Sequence, residues 1–291
     1  MFSNKSKNMF ENIKKLFEGR KIYKELRRKS NNYRIYISQH PAIGDAFVIG
    51  SYLKNYFTEG DILTYIGNAS KKIYELYQFS NLIELSQNQT NALIKYLQFM
   101  EIAEDKVLIL HYQAIEEHSG IAFRFNGIHG LSFSDLLEIM IFRGYGCDDR
   151  VYPIQKKYKN YDLVKKNNSV IFFPYANTLH VPSMLFWNPI IEKYVSEGKK
   201  VYTYIFGDEK AIQGTIPISC ELEQIYGLVE YAGEIVGVRS GIMDLISQAQ
   251  CKKTIYYPIF GAESWINGSI IDFWSLNKMG YKAECKEIEW K

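Results

Sequence analysis

The sequence predicts an α/β protein built as two parallel-sheet domains in succession, on three observations. From residue 33 to residue 110, short segments rich in β-branched and aromatic residues alternate with segments whose apolar residues recur every three or four positions. The alternation stops in a glycine-bearing stretch and a polar run. It then restarts at Ser169 with Val170-Ile171-Phe172-Phe173. Strands separated by helices pair in parallel, and such a sheet is covered by helices on both faces.

In the first half the predicted order is strand 33–38, helix 46–57, strand 61–66, helix 71–79, short strand 82–85, helix 91–103 and strand 106–110. Gly120, Gly127 and Gly130 then break the rhythm, and residues 131–143 read as a helix with Ser132 or Ser134 near its start. The second half reads strand 170–174, helix 184–197, strand 200–206, helix 221–232, strand 235–238, helix 242–250 and strand 254–257. A tail from Ser264, including residues 270–276, is expected to fold back on the body. The domain reading is a basic amphipathic leader at 1–32, a first Rossmann-like domain at 33–150, a connector at 151–168 and a second Rossmann-like domain at 169–291. The two domains are expected to face each other across a cleft. In sheets of this kind ligands sit beyond the carboxyl ends of the strands.

At 291 residues, 47% of them hydrophobic and 23% charged, the chain has the composition of a globular protein with ample core. Cys147, Cys220, Cys251 and Cys285 are far apart and form no C-x-x-C pair, which fits reduced thiols in a cytoplasmic protein and no metal site. No apolar run approaches the ~18 residues of a membrane span, so the chain is expected to be soluble or peripheral. Net charge is +3, but residues 1–32 hold ten Lys or Arg against three Glu, a segment charge of +7 that leaves −4 for the rest. Phe10, Ile13 and Phe17 give this leader a loose apolar stripe. It either lies on an anionic membrane surface or packs on the body as a solvated first helix. No basic patch recurs downstream, which disfavours nucleic acid, and no G-x-G-x-x-G follows either domain's first strand, which disfavours a nicotinamide dehydrogenase.

The stretch richest in chemistry is Gly237-Val238-Arg239-Ser240-Gly241-Ile242-Met243-Asp244. A strand, a tight Ser-Gly turn and a helix N-terminus leave backbone N–H groups unpaired at a positive dipole end, an arrangement suited to phosphate. Arg239 adds a planar cationic fork beside Ser240, Gly241 and Ile242. The competing reading is an ordinary turn whose Arg pairs with a nearby carboxylate, Asp244 included. Tyr175, Asn177 and Thr178 follow a strand end and are candidates for the same ligand, with turn chemistry as the alternative. In the first half Asp45 stands at a strand-to-helix turn, either as a functional carboxylate or as the cap of a helix starting at Ala46. His40 lies five residues before it. His111, at a strand end, and His129, in the glycine-bearing loop, are placed toward the same cleft.

These residues resemble those of the GT-B glycosyltransferases, and among them the bacterial heptosyltransferase-like family, glycosyltransferase family nine. Ile43-Gly44-Asp45 is similar to that family's Gly-Asp turn near the acceptor. Phe173-Pro174-Tyr175-Ala176, then Trp187-Asn188-Pro189 and the strand ending Phe206-Gly207-Asp208-Glu209, resemble its strand, small-residue loop, Trp-Pro and glycine-ended strand. Arg239 to Asp244 resembles its Ser-Gly-x-x-His turn at the nucleotide diphosphate. The chain departs from the pattern in three places. Leu185 and Phe186 stand where a basic residue usually precedes the Trp-Pro, Asp244 replaces the His, and Arg239 replaces an Asp or Thr.

The resemblance implies a nucleotide-sugar donor, a glycan or lipid-linked glycan acceptor of the bacterial surface, and roles for the matched positions: Asp45 as base, Gly44 near the acceptor, and the turn after Arg239 at the diphosphate. Arg239 is then expected to supply the charge that the missing Lys would have supplied. In GT-B enzymes a loop before the next helix lines the nucleotide base, which points to Ile216 and Ile218, with Glu221 or Glu223 toward the ribose or as helix-start residues. His40 is expected to assist acceptor binding at the catalytic site, or else to be an ordinary hydrogen-bonded loop histidine, with His111 and His129 toward the acceptor. Transfer is expected with inversion, without a metal or other cofactor, on the cytoplasmic side or at the inner membrane face. The alternatives are a GT-B-fold nucleotide-sugar epimerase or hydrolase, and a non-catalytic nucleotide- or glycan-binding protein.

Overall fold

The computed structural model describes residues 2–102, 106–110, 132–138, 150–153, 155, 157–159, 161–177, 179–259, 270–279 and 285–290, with the side chains of 2–8, 136 and 161 outside that description. The chain forms two compact units, Met1–Ser119 with Leu137–Pro153, and Gly120–Leu136 with Ile154–Lys291. The sequence reading draws its boundary after residue 150; here the segment 120–136 belongs with the second unit.

The first unit holds a four-stranded parallel sheet, β1 (Ile35–Ile37), β2 (Ile62–Tyr65), β3 (Leu82–Glu84) and β4 (Val107–Ile109), in the order β3-β2-β1-β4. Ile35 pairs with Ile62 on one side and Val107 on the other, so β1 is central. Because side chains alternate across a strand, Ile35 and Ile37 face one layer and Tyr36 the other. The Ile35 and Ile37 face packs on α1 (Phe2–Ser30) and α4 (Gln87–Phe99) through Ile22, Leu26, Leu93 and Leu97. Tyr36 meets Phe57, whose ring lies tilted against that of Phe79 at 4.8 Å, beside α2 (Ile43–Leu53) and α3 (Gly67–Leu76).

Three helices of the first unit start earlier than the periodicity predicts, α3 at Gly67 instead of residue 71 among them. α4 begins at Gln87 instead of residue 91, because Ser86 and Gln89 close a capping box: Gln89 N donates to Ser86 Oγ and Ser86 N donates to Gln89 Oε1. α2 begins at Ile43 instead of residue 46, after the extended residue Ala42. α1 ends where Asn31 and Asn32 both take left-handed backbone angles, which Asn tolerates better than other side chains.

The leader resolves into two halves. Gly19, Ile22, Leu26 and Ser30 are buried, and Tyr23 meets Tyr96 of α4 at 5.7 Å. Phe10 and Phe17, by contrast, are 73% and 67% exposed. The helix therefore packs on the body through its C-terminal half.

The second unit holds a six-stranded parallel sheet in the order β10-β9-β8-β5-β6-β7. Its strands are β5 (Ser169–Phe173), β6 (Lys200–Tyr204), β7 (Ile216–Ile218), β8 (Gly233–Val238), β9 (Lys252–Pro258) and β10 (Lys286–Trp290). Its helices are α5 (Phe133–Leu137, at the junction of the two units' segments), α6 (Asn188–Ser196), α7 (Ile225–Ala232), α8 (Gly241–Leu245) and α9 (Ile270–Trp274). Every residue of β5 is buried, as expected of a strand covered on both faces. Trp187, just before α6, is fully buried and meets Phe172 edge-on at 5.8 Å and Tyr256 at 5.6 Å.

The two strands the sequence reading lacks, β7 and β10, are the sheet's two edges. Pro217 sits in the middle of β7, a position tolerated only where one side of the strand needs no ladder bond. The tail beyond α9 adds β10 in parallel to β9. Glu287 of β10 fixes it there: its carboxylate accepts from Tyr257 Oη at 2.5 Å, Ser275 Oγ at 2.7 Å, Leu276 N at 2.7 Å and Asn277 Nδ2 at 3.0 Å.

Close packing of α1 on α4 depends on Gly19, where a Cβ would lie 2.1 Å from the Ala92 carbonyl oxygen. Gly19→Ala, although it improves helix propensity, is expected to destabilise the protein by about 1–3 kcal/mol through overpacking. Urea unfolding measures it, and an unchanged or raised midpoint would contradict the packing described.

Candidate functional site

In each sheet one pair of neighbouring strands marks the point where chain order reverses. In the first, β2 and β3 follow β1 to one side and β4 lies on the other. In the second, β6 and β7 lie to one side of β5 and β8, β9 and β10 to the other. Loops leaving such neighbours at their carboxyl ends diverge to opposite faces and open a crevice, the usual ligand position in α/β sheets. Some of the sequence-predicted residues fall at these points: His40 and Asp45 after β1, Tyr175 and Asn177 after β5, and Arg239 to Ile242 after β8.

In the first unit the β1–α2 connection carries His40, and the first turn of α2 carries Gly44 and Asp45. His40 and Asp45 are half-buried. Gly44 is buried as the second residue of α2, inside the helix and not in a turn before it. The helix start places Asp45 three residues beyond the N-cap, so it is not the N-cap residue. The N-cap is Ala42, which makes no side-chain cap, and Asp45 lies in the first turn, where N–H groups and dipole suit a carboxylate. Beside it is a pair the sequence reading missed: Tyr74 of α3 donates from its hydroxyl to Ser38 Oγ at 2.7 Å, both side chains fully buried. Burial holds the Tyr74 phenol far above its ordinary range; the Ser38 hydrogen bond lowers it, and the charge of Asp45 raises it further. Nothing in the spacing of Tyr74 distinguishes it from the other apolar-face residues of α3. His111 and His129 lie outside the described residues.

In the second unit the loop after β5 and the turn after β8 leave adjacent strand ends, since Phe173 pairs with Gly237. A Cβ at Gly237 would lie 2.9 Å from Phe173 O and 3.1 Å from Met243 Cε, so glycine lets α8 settle onto the strand. Ser240 is the extended residue before α8, and Ser240, Gly241 and Ile242 are half-exposed. Ser240 Oγ makes no hydrogen bond among the described residues.

Arg239 differs from expectation. It is 4% exposed and its fork points into the unit, away from solvent. Nε donates to Trp274 O at 2.8 Å, Nη1 to Ser240 O at 2.5 Å, and Nη2 to Asp244 Oδ1 at 2.7 Å, with Met279 Sδ at 3.9 Å. Asp244 is itself 2% exposed. The competing sequence reading, an Arg paired with a nearby carboxylate, is the geometry observed. A guanidinium so placed holds the turn from behind and does not present itself to a phosphate. α8 is also shorter than predicted, ending at Leu245, where Ser247 Oγ turns back to Asp244 O at 2.7 Å.

The remaining donor-side candidates are dispersed. Tyr175 is half-exposed, and its hydroxyl both donates to Lys210 O at 2.5 Å and accepts from Lys210 N at 3.2 Å, tying the loop after β6 to the end of β5. Asn177 is exposed, and Thr178 lies outside the described residues. Ile218, expected in a loop, is buried in β7 opposite Tyr204, while Ile216 of the same strand is exposed. Glu223 is half-buried in a single 3-10 turn, Leu222–Gln224, that leads into α7.

Among the described residues no group of three His, Cys, Asp or Glu could hold a metal ion. Burial pushes the thiols of Cys220 and Cys285 up to about 12 and that of Cys251 to about 11, so these three stay protonated near neutrality. Cys147 lies outside the described residues. Among the described residues, no helix is long and apolar enough to cross a membrane.

No family model matches the sequence, and no curated protein matches it. Solved structures do. The glycosyl transferase of family 9 from Veillonella parvula is 12% identical, with 89% of this chain and 86% of that chain covered at a TM-score of 0.52. The ADP-heptose LPS heptosyltransferase II of E. coli is 12% identical, with 88% of this chain and 90% of that one covered at a TM-score of 0.53. The chain has the GT-B glycosyltransferase fold. The resemblance read from short motifs is thus matched by the path of the backbone over most of its length, and the likeness concerns the fold.

Arg239→Ala is expected to cost about 3–5 kcal/mol of stability, because it strands a buried carboxylate. Replacing both partners, Arg239→Met with Asp244→Leu, is expected to recover most of that loss in urea unfolding. An Arg239→Ala protein of wild-type stability would show that the pair is not structural.

Proposed function

We propose that this chain is a glycosyltransferase that moves a sugar from a nucleotide-sugar donor to a glycan acceptor of the bacterial surface, working on the cytoplasmic side. The observation that carries the reading is the coincidence, in both sheets, of the order-reversal point with residues suited to the two halves of the chemistry. Glycosyl transfer needs a base for the acceptor hydroxyl and stabilisation of the departing nucleoside diphosphate. Asp45, in the first turn of the helix that follows β1, is assigned the base, with His40 alongside. Attack from the face opposite the leaving group inverts the sugar carbon.

The donor is assigned to the carboxyl ends of β5 and β8. Backbone N–H groups and the hydroxyl of the Ser240-Gly241-Ile242 turn meet the diphosphate, and Arg239 shapes that turn through its buried partners. Asn177 is assigned to the donor side, with Tyr175 holding its loop and Glu223 toward the ribose, and Gly44 to the acceptor side; Thr178, His111 and His129 lie outside the described residues and keep the roles read from the sequence, donor for Thr178 and acceptor for the two histidines. The E. coli neighbour is named for ADP-heptose, so nucleoside diphosphates are the donor class to test first. Fixed dipoles at the turn do the work that a divalent ion does in metal-dependent transferases.

A thermal-shift screen of the chain against UDP, GDP, ADP, CMP and their sugars is expected to find one nucleoside diphosphate that raises the melting temperature. With that donor, Asp45→Asn is expected to keep the shift and lose turnover by about a hundredfold or more. An active Asn variant would remove Asp45 from the role of base, and silence across the panel would overturn the donor assignment. Activity is expected to survive EDTA undiminished; loss in EDTA with recovery on adding manganese would make the enzyme metal-dependent.

A further inference from the structure

The exposed face of α1 is not explained by its packing. Along the helix, Phe10, Ile13, Phe17, Lys21, Lys24 and Arg28 recur every three or four residues and therefore form one continuous stripe. All six are exposed. The stripe is apolar over its first half and cationic over its second. Gly19, Ile22, Leu26 and Ser30, the residues that bury against the body, lie on a different face. Glu11, Glu18 and Glu25 each follow a stripe residue by one position, which turns them off it by about 100°. The three carboxylates thus share a separate face, and none interrupts the stripe.

We propose that this stripe docks the protein on an anionic lipid bilayer, with α1 lying in the plane of the interface. Phe10, Ile13 and Phe17 enter the boundary between headgroups and acyl chains, and Lys21, Lys24 and Arg28 meet the lipid phosphates. The charge pattern selects this occupant. A second copy of the chain would bring two segments of +7 face to face. A bilayer of anionic lipid offers both an apolar layer for the phenylalanines and opposite charge for the cations. The docking stands whether or not the chain transfers sugars, and its test uses no nucleotide.

Cosedimentation of the full chain with vesicles of phosphatidylglycerol and phosphatidylcholine, compared with phosphatidylcholine alone, tests it. Binding is expected on the mixed vesicles only, and it is expected to weaken as salt is raised. Phe10→Ser with Phe17→Ser is expected to lower binding about tenfold or more. Lys21→Glu with Lys24→Glu is expected to lower it at least fivefold for each cation removed, by about the contribution of one Lys near an anionic surface. Both pairs are solvent-exposed, so far-ultraviolet circular dichroism and melting temperature serve as folding controls. No binding to the mixed vesicles would overturn the proposal, as would equal binding to both lipids that neither variant alters. A concentration-dependent oligomer abolished by the phenylalanine variant, without vesicle binding, would assign the stripe to copy-to-copy contact.

Discussion

Parallel pairing on both sides of β1 and of β5 constrains everything else in this molecule. A strand with parallel neighbours on each side needs a crossover to reach the next one, and those crossovers cover both faces of the sheet. This is why β5 is buried throughout and why Ile35 and Ile37 meet one helical layer while Tyr36 meets another. The same pairing sends every β-to-α connection out at the carboxyl edge. It also creates one place in each sheet where neighbouring connections part company. Asp45 and the Ser240-Gly241 turn stand near these places as a result of topology, before any particular side chain is considered.

The alternation of strand and helix was legible because it depends on patterns several residues long. The central strands β1, β2, β5, β6, β8 and β9 are all read at or near their observed places. What escaped was local or non-periodic. Pro217 argues against a strand unless the strand is known to be an edge, and edges are a property of the assembled sheet. The start of α4 was visible in principle, since Ser86 and Gln89 have capping-box spacing. The start of α2 was not, because Ala42 offers no capping side chain.

The site shows the same division. Asp45 and the Ser240-Gly241 turn are found by where they stand between elements, which sequence order reveals. The direction in which Arg239 points is decided by Trp274, Met279 and Asp244, two of which lie 35 and 40 residues away. No spacing rule reaches that far. Once buried, an Arg must have its donors satisfied, and a carbonyl from α9 and a carboxylate from α8 do so here. The pairing of Tyr74 with Ser38 is a similar long-range event, 36 residues apart, between two side chains that each look like ordinary core.

The bond from Arg239 to Trp274 also sets an order of events. A chain emerging from the ribosome completes β5, β6, β8 and α8 before residues 270–290 have been made. Until they arrive, Arg239 lacks the Trp274 carbonyl, and β9 lacks the partner that Glu287 fastens to Tyr257 and Ser275. The turn at the end of β8 is therefore among the last parts of the second unit to settle. A nascent chain would carry the sheet without β10, and the β8–α8 turn would be held in its final shape only when residues 270–290 are laid down.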